Sequence, residues 1–311
     1  MAETNETRLT LGEQAARQLS NTTKTVPQWA AITPRWLVSL LPWTPVEAGV
    51  YRVNQVKAKA TEEGVECSPD ESQDRPETFV DYQVPAREYT LNAVTTVVDV
   101  QTRVSDLFSH PHDQIREQLR LTVEKVKEKQ ENELVNNRTY GLLHNVAPAQ
   151  RIKTRKGPPT PDDLDELIAK VWKEPSFFLA HPRAIAAFGR ECTRRGVPPP
   201  TATLFGSPFL TWRGIPIVSS DKLHVSADKK GGGKTSILLL RTGEKKQGVV
   251  GLFQPGVPGE VTPSLSVRFM GINPRGAASY LLTLYCSAAV LTEDAIAALD
   301  DVEVGHYHEY P

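Results

Sequence analysis

Three tryptophans, Trp29, Trp36 and Trp43, fall within one Pro-rich stretch running from Asn21 to Pro45. A segment this short has no interior in which to hide three indoles, and each indole carries a large apolar area that water penalises. The segment must therefore lie against something else, either the rest of the chain or a neighbouring copy. A second stretch poses the same problem. Val50, Tyr51, Val53 and Val56 stand among polar residues over 46–58, and Phe79, Tyr82, Val84 and Tyr89 do so over 79–91, which predicts two strands. Between them, 61–78 is strongly acidic and holds Gly64, Pro69 and Pro76, the pattern of a solvated tip. The two strands make a long ribbon, and an isolated ribbon is marginal in water. Both projections call for a partner surface.

The rest of the chain reads as mixed α+β. A short amphipathic helix is expected over 10–20, capped by Thr10, with Leu11, Ala15 and Leu19 on one face. The longest helix is predicted over 112–137. Ile115, Leu119, Val123, Val126 and Leu134 share a face, and Glu124, Lys127, Glu128 and Glu131 cover the other. Such a rod is roughly 38 Å long, a structural spine. A basic, Pro-rich linker with Arg151, Lys153, Arg155 and Lys156 follows over 150–161. Thr160 then caps a helix with Pro161 at its first position and Asp162 and Asp163 in its first turn. Leu164, Leu167, Ile168, Val171 and Trp172 continue its apolar spacing. A further helix is expected over 181–195, ended by Gly196, and a Pro-rich loop over 197–208. Strands are predicted over 215–219, 236–241, 249–253, 265–272 and 280–291, with a last helix over 293–299 capped by Thr292.

Composition narrows the function classes. A net charge of -1 offers no global attraction to nucleic acid or to an anionic membrane. The three cysteines, Cys67, Cys192 and Cys286, are far apart and odd in number, which fits a reducing, cytoplasmic setting and no zinc site. The polar start of the chain has no signal-peptide pattern, and the apolar runs 36–43 and 280–291 are too short to span a bilayer, so no membrane insertion is expected.

No constellation for catalysis, cofactor or metal emerges. The run from Lys229 to Ser236 contains Gly233, Lys234 and Thr235, but a phosphate-binding loop needs a glycine where Asp228 stands and a helix where Ile237 to Leu240 predict a strand. Ser219, Ser220, Asp221 and His224 lack a nucleophile-elbow pattern. Cys192 shares an apolar face with Ile185 and Phe188, so it reads as a core thiol. His306, His308 and Glu309 read as a solvated tail rather than a metal site, and the acidic tip lacks calcium-loop spacing.

Two segments carry a family resemblance. F-F-L-A-H-P-R-A-I-A-A-F-G-R-E-C-T-R-R-G, from Phe177 to Gly196, and L-F-G-S-P-F-L-T-W-R-G-I-P-I-V-S-S-D-K-L, from Leu204 to Leu223, resemble phage-type capsid proteins of the Hong Kong 97 fold. Over essentially its full length the chain is similar to the family 2A encapsulins, which include bacterial proteins long labelled major membrane protein I. The resemblance implies an N-terminal arm (1–45) holding Trp29, Trp36 and Trp43 against a neighbouring subunit. It further implies an extended ribbon loop (46–92), a peripheral domain with the spine helix (93–159), an axial domain (160–262) and a return to the peripheral domain (263–311). It implies a homo-oligomer of about 60 copies in a T=1 icosahedral shell. The shell would enclose a cysteine desulfurase of sulfur metabolism, with pyridoxal phosphate in that cargo and no cofactor in the shell chain. The pore-lining segment is expected at Pro200, Thr201, Ala202, Thr203, Leu204 and Phe205. Related families carry an inserted cyclic-nucleotide-binding domain, for which this chain has no room. The alternatives are a phage capsid protein packaging DNA, a peripheral membrane protein and a P-loop hydrolase, in falling order.

Overall fold

The computed structural model describes residues 32–54, 56, 82, 84–101, 114–226 and 232–308. The helix expected over 10–20, Trp29, the acidic tip 61–78, Cys67, Lys229, Lys230 and Glu309 lie outside the described residues.

Two sheets organise the molecule. The first contains β1 (Trp43–Pro45), β4 (Asn92–Val100), β11 (Val249–Phe253), β12 (Glu260–Thr262), β13 (Leu265–Ile272) and β14 (Ala278–Val290). The long β14 is its centre and pairs with β4, β11 and β13, each antiparallel. The second runs β5 (Arg151–Lys153), β15 (Ile296–Glu303), β10 (Lys234–Leu240), β6 (Phe177–Ala180), β9 (Ile215–Ser219), β8 (Ser207–Trp212), β7 (Thr201–Leu204). A two-stranded ribbon base, β2 (Val50–Val53) with β3 (Arg87–Thr90), stands apart, and a bridge between Val56 and Tyr82 continues it.

The second sheet is buried on both faces, which is why its central strands read as unbroken apolar runs. Phe177, Leu179, Leu238, Leu240, Ile296 and Ala298 point into one core, shared with Leu134, Val249 and Val290 of the first-sheet layer. Their alternates Phe178, Ala180, Ile237, Leu239, Ala297 and Leu299 point into another. That outer core is covered by helices α3 (Pro161–Lys170) and α4 (Pro182–Arg194) through Leu164, Leu167, Ala184, Phe188 and Cys192. The long helix α2 (Gln114–Asn136) lies on the first sheet, with Leu119, Val123 and Val126 against Val94, Val98, Leu282 and Leu284.

The cap expected for α3 is present. Thr160 Oγ1 accepts from the Asp163 amide, and the Asp163 carboxylate accepts from the Thr160 amide at 3.0 Å. Reciprocal capping of this kind contributes about 1 kcal/mol. His181 caps α4 by accepting from the Arg183 amide at 3.1 Å.

Four local expectations are corrected. The helix predicted over 293–299 is one 3-10 turn, Glu293–Ala295, followed by strand β15. Position between β5 and β10 decides this: a backbone there has ladder partners on both sides, and small Ala297 and Ala298 fit the two cores. The Pro-rich loop over 197–208 contains β7 and the start of a hairpin. Its two-residue turn, Phe205 and Gly206, has φ of 51° and 74°, the mirror-image geometry that matches strand twist. Part of the basic linker is the edge strand β5, parallel to β15. Trp172 does not join the apolar face of α3. The helix ends at Lys170, and the indole is 69% exposed. β11 and β12 belong to the first sheet, and β15 returns to the second.

Candidate assembly elements

The arm begins where the described chain begins. Thr33 donates to the Glu128 carboxylate through both its amide, at 2.8 Å, and its hydroxyl, at 2.9 Å. Arg35 reaches Glu124 at 2.5 Å and Glu128 at 3.4 Å. The arm then forms a short helix, α1 (Trp36–Leu40), which sinks Leu37 and Leu41 into the core between the sheets.

Trp36 meets Phe209 edge-on at 5.1 Å between centroids and Phe205 at 6.1 Å. Trp43 donates its indole N–H to the Val38 carbonyl at 2.9 Å and lies flat over Gly251. A Cβ at position 251 would stand 2.7 Å from the ring carbons of Trp43, so glycine is what admits the indole. β1 then pairs in parallel with β11 from Trp43 to Pro45. Trp36 and Trp43 are thus half-buried against their own subunit, the first of the two kinds of cover expected for them.

The polar face of α2 also differs from expectation. Glu124 and Glu128 hold the arm, and Glu131 is buried rather than solvated. Burial pushes the Glu131 carboxyl up to about 7, against the hydrogen bond from Ser220 and the nearby Lys222 charge. For Glu128 burial acts the same way, but the bonds from Lys222 and Thr33 outweigh it and hold the group below its ordinary value. The sequence signal for this was available: four acidic or amide groups, at 124, 128, 131 and 132, line one stripe of a helix that needs cationic partners.

The ribbon base is anchored through Tyr89, whose hydroxyl donates to the Val290 carbonyl at 2.5 Å and whose ring packs with Val46, Val250, Leu252 and Leu291. Val84 is almost fully exposed, and Val56 and Tyr82 are exposed as well.

The segment expected to line a pore is an edge strand and hairpin tip. Pro200 is exposed and its carbonyl accepts from the Thr211 amide at 2.8 Å. Thr201 and Thr203 point outward, while Ala202 and Leu204 are half-buried. Phe205, at the tip, is 71% exposed. Phe269, Met270 and Ile272 on β13 and Val261 on β12 are also exposed.

The residues weighed for catalysis take structural places. Lys234 and Thr235 lie within β10, with Thr235 buried and Lys234 4.0 Å from Glu303. Ser220 donates to Glu131 at 3.0 Å, and Asp221 pairs with Lys222. Burial pushes the Cys192 thiol up to about 11 and Cys286 to about 12, so neither offers a thiolate near neutrality. His308 contacts Glu191 at 2.6 Å, and Arg190 donates to the Val304 and His306 carbonyls, which straps the tail to α4. Arg151 pairs with Asp300, Lys153 with Asp301 and Arg155 with Glu166, so the basic run is answered by acidic neighbours. No group of three or more His, Cys, Asp or Glu side chains suited to a metal occurs among the described residues. Among them, no helix is long and apolar enough to cross a membrane.

Comparison with known proteins agrees with this architecture. Residues 51–306 match the family described as type 2A encapsulin shell protein, SrpI-like. The chain is 66% identical over 306 residues to the type 2A encapsulin shell protein SrpI of Synechococcus elongatus, covering 98% of each. It is 60% identical over 301 residues to a type 2A encapsulin shell protein of Mycolicibacterium paratuberculosis, covering 96% of each. The cryo-EM structure of the holo-SrpI encapsulin complex from Synechococcus elongatus superposes with a TM-score of 0.83 at 64% identity, over 97% of this chain and 99% of that one. The capsid of a native GTA particle shares the fold at a TM-score of 0.59 and 13% identity, over 91% of this chain and 94% of that one. An α+β body of Hong Kong 97 type, with an arm, a ribbon base and a spine helix, and this degree of likeness over nearly the whole length place the chain in the family of type 2A encapsulin shell proteins.

Proposed function

We propose that this chain is the repeating unit of a closed icosahedral compartment of about 60 copies in a T=1 arrangement, which encloses a cargo enzyme in the cytoplasm. The observation that carries the reading is a subunit that leaves large apolar side chains exposed at its ribbon base and on β13. The ribbon base is anchored at Tyr89, yet Val56, Tyr82 and Val84 beyond it find no cover among the described residues of their own subunit. Those side chains, and the exposed Phe269, Met270 and Ile272, become buried only if copies overlap. The arm serves a positioning role in this reading: the Glu128 and Gly251 contacts hold its described part, residues 33–45, against the body of its own subunit.

The cargo we propose is a cysteine desulfurase acting in sulfur metabolism, its pyridoxal phosphate bound by the cargo and not by the shell. The holo state of the Synechococcus elongatus relative supports a shell that holds something. The proposed opening is lined by Pro200 to Phe205. Its outward Thr201 and Thr203 hydroxyls would pass small polar solutes without strong charge selection.

Particles purified from the native host test the cargo reading. The expected result is uniform closed shells with protein-like ultraviolet absorbance, from which a pyridoxal-phosphate desulfurase is released on denaturation. Shells filled with DNA, showing a high 260/280 absorbance ratio, would instead make the chain a phage-type capsid protein.

A further inference from the structure

Glu131 is 1% exposed on the spine helix α2, and only one of its carboxylate oxygens is satisfied. Oε1 accepts from the Ser220 hydroxyl at 3.0 Å, whereas Oε2 has no hydrogen-bond partner among the described residues. Ser220 directly follows β9 of the second sheet, while α2 lies on the first. The contact therefore joins the two layers. It is flanked by the Asn136 side chain donating to the Lys222 carbonyl at 2.7 Å and by Lys222 reaching Glu128 at 2.8 Å. Glu128 in turn holds Thr33 and Arg35 of the arm. One cluster thus ties the spine, the loop after β9 and the start of the arm.

The charges around Glu131 are mixed. Glu128 stands on its own helix, and Asp221 and Lys222 face it from the loop after β9. Arg35 comes from the arm, but it is engaged by Glu124 and Glu128. Lys222, the cation that acts on Glu131 from the loop after β9, is already shared between Glu128 and Asp221. An ionised Glu131 would therefore be a third carboxylate on one ammonium, desolvated and with one oxygen unbonded. Protonated on Oε1, it is neutral and can donate to the Ser220 hydroxyl oxygen at the same 3.0 Å, leaving unbonded only an uncharged carbonyl oxygen.

We infer that Glu131 and Ser220 form a proton-operated latch between the spine helix and the 220–222 loop, closed when Glu131 carries a proton and loosening when it loses it. The direction of the pH effect follows. Burial raises the Glu131 carboxyl to about 7 in the closed state, above its ordinary 4.5. The closed state binds the extra proton, so its advantage is complete below the ordinary value and is lost as pH rises through about 7. His181 also borders Asp221. Burial and Arg183 hold its imidazole below the usual 6.5, so its titration falls on the acid side of the latch.

Hydrogen exchange on the assembled full-length protein at pH 6 and pH 8.5, corrected for the intrinsic pH dependence of exchange, tests this. Peptides spanning 220–224 are expected to open about tenfold more at the higher pH, the ratio set by a proton site moving from ordinary to near-neutral affinity. Glu131→Gln, an isostere of the protonated form, is expected to remove that difference while leaving exchange in β14 unchanged. Ser220→Ala takes away the bond that favours the ionised form, so the midpoint is expected to move upward. Infrared difference spectra of wild type against Glu131→Gln supply a second readout: a protonated carboxyl band present at pH 6 and gone at pH 8.5. An unaltered pH difference in Glu131→Gln, or no such band in wild type at pH 6, would overturn the proposal.

Discussion

Replacing Arg241 by Ala is expected to destabilise the subunit by about 3–5 kcal/mol, the cost of breaking a buried ion pair from one side. Arg241 is fully buried, immediately after β10. Its Nη2 donates to Asp294 Oδ1 at 2.8 Å and to the Thr292 hydroxyl at 2.8 Å, and its Nη1 reaches Asp294 Oδ2 at 3.3 Å. Both partners sit in the turn between β14 and β15. The chain passes between the two sheets near Arg241, from β10 into β11, and again at this turn, from β14 into β15. One guanidinium pins both crossings. Lysine is expected to rescue only part of the loss, since a single ammonium does not reproduce the fork.

The same pair predicts an acid limit. Burial works to raise the Asp294 carboxyl, but the bonds from Arg241, Thr292 and Lys173 outweigh it and hold the group well below the ordinary range. Its contribution is therefore whole above about pH 4 and is lost as pH falls further. Denaturation midpoints of wild type and Arg241→Ala are expected to differ most near neutrality and to converge in acid. Equal stability of the two proteins at pH 7 would show that the clasp is idle.

Phe178→Ala is the second large effect, with an expected loss of about 3–5 kcal/mol. Phe178 is fully buried in β6, between β9 and β10, and its ring fills the outer core with Leu167, Phe188 and Leu239. Neighbouring strands on both sides restrict collapse into the cavity that its removal leaves. Trp172→Ala is the control. That indole is larger, but it is 69% exposed with only Lys173 near its face, so a change within about 0.5 kcal/mol is expected. Chemical denaturation of the two variants side by side distinguishes packing from side-chain size. Comparable losses in both would contradict the burial assigned to them.

Long periodic elements were readable from the chain alone. The spine helix, the helices after Thr160 and His181, and strands β9, β11 and β13 follow apolar spacing and cap residues that act locally. β15 was not, because Thr292, Glu293 and Asp294 imitate a helix start, and only its place between two strands overrides that local preference. The β7–β8 hairpin was hidden by three prolines at 198–200, although Phe205-Gly206 between Leu204 and Ser207 is a legible two-residue turn. For the assembly elements, periodicity identified what was greasy but not what it touches. Trp36 and Trp43 meet Phe209 and Gly251, over 170 residues away, and the docking of Arg35 on Glu124 and Glu128 depends on the same long-range approach.

Particle mass at low micromolar concentration bears most directly on the shell reading. Light scattering behind size-exclusion chromatography is expected to give one sharp species of roughly 2 MDa, about 60 times the 34.4 kDa chain, that persists on dilution. A stable, folded species of 34.4 kDa under the same conditions would contradict it, because the exposed Val56, Tyr82 and Val84 and the exposed apolar side chains of β13 would then need no neighbour.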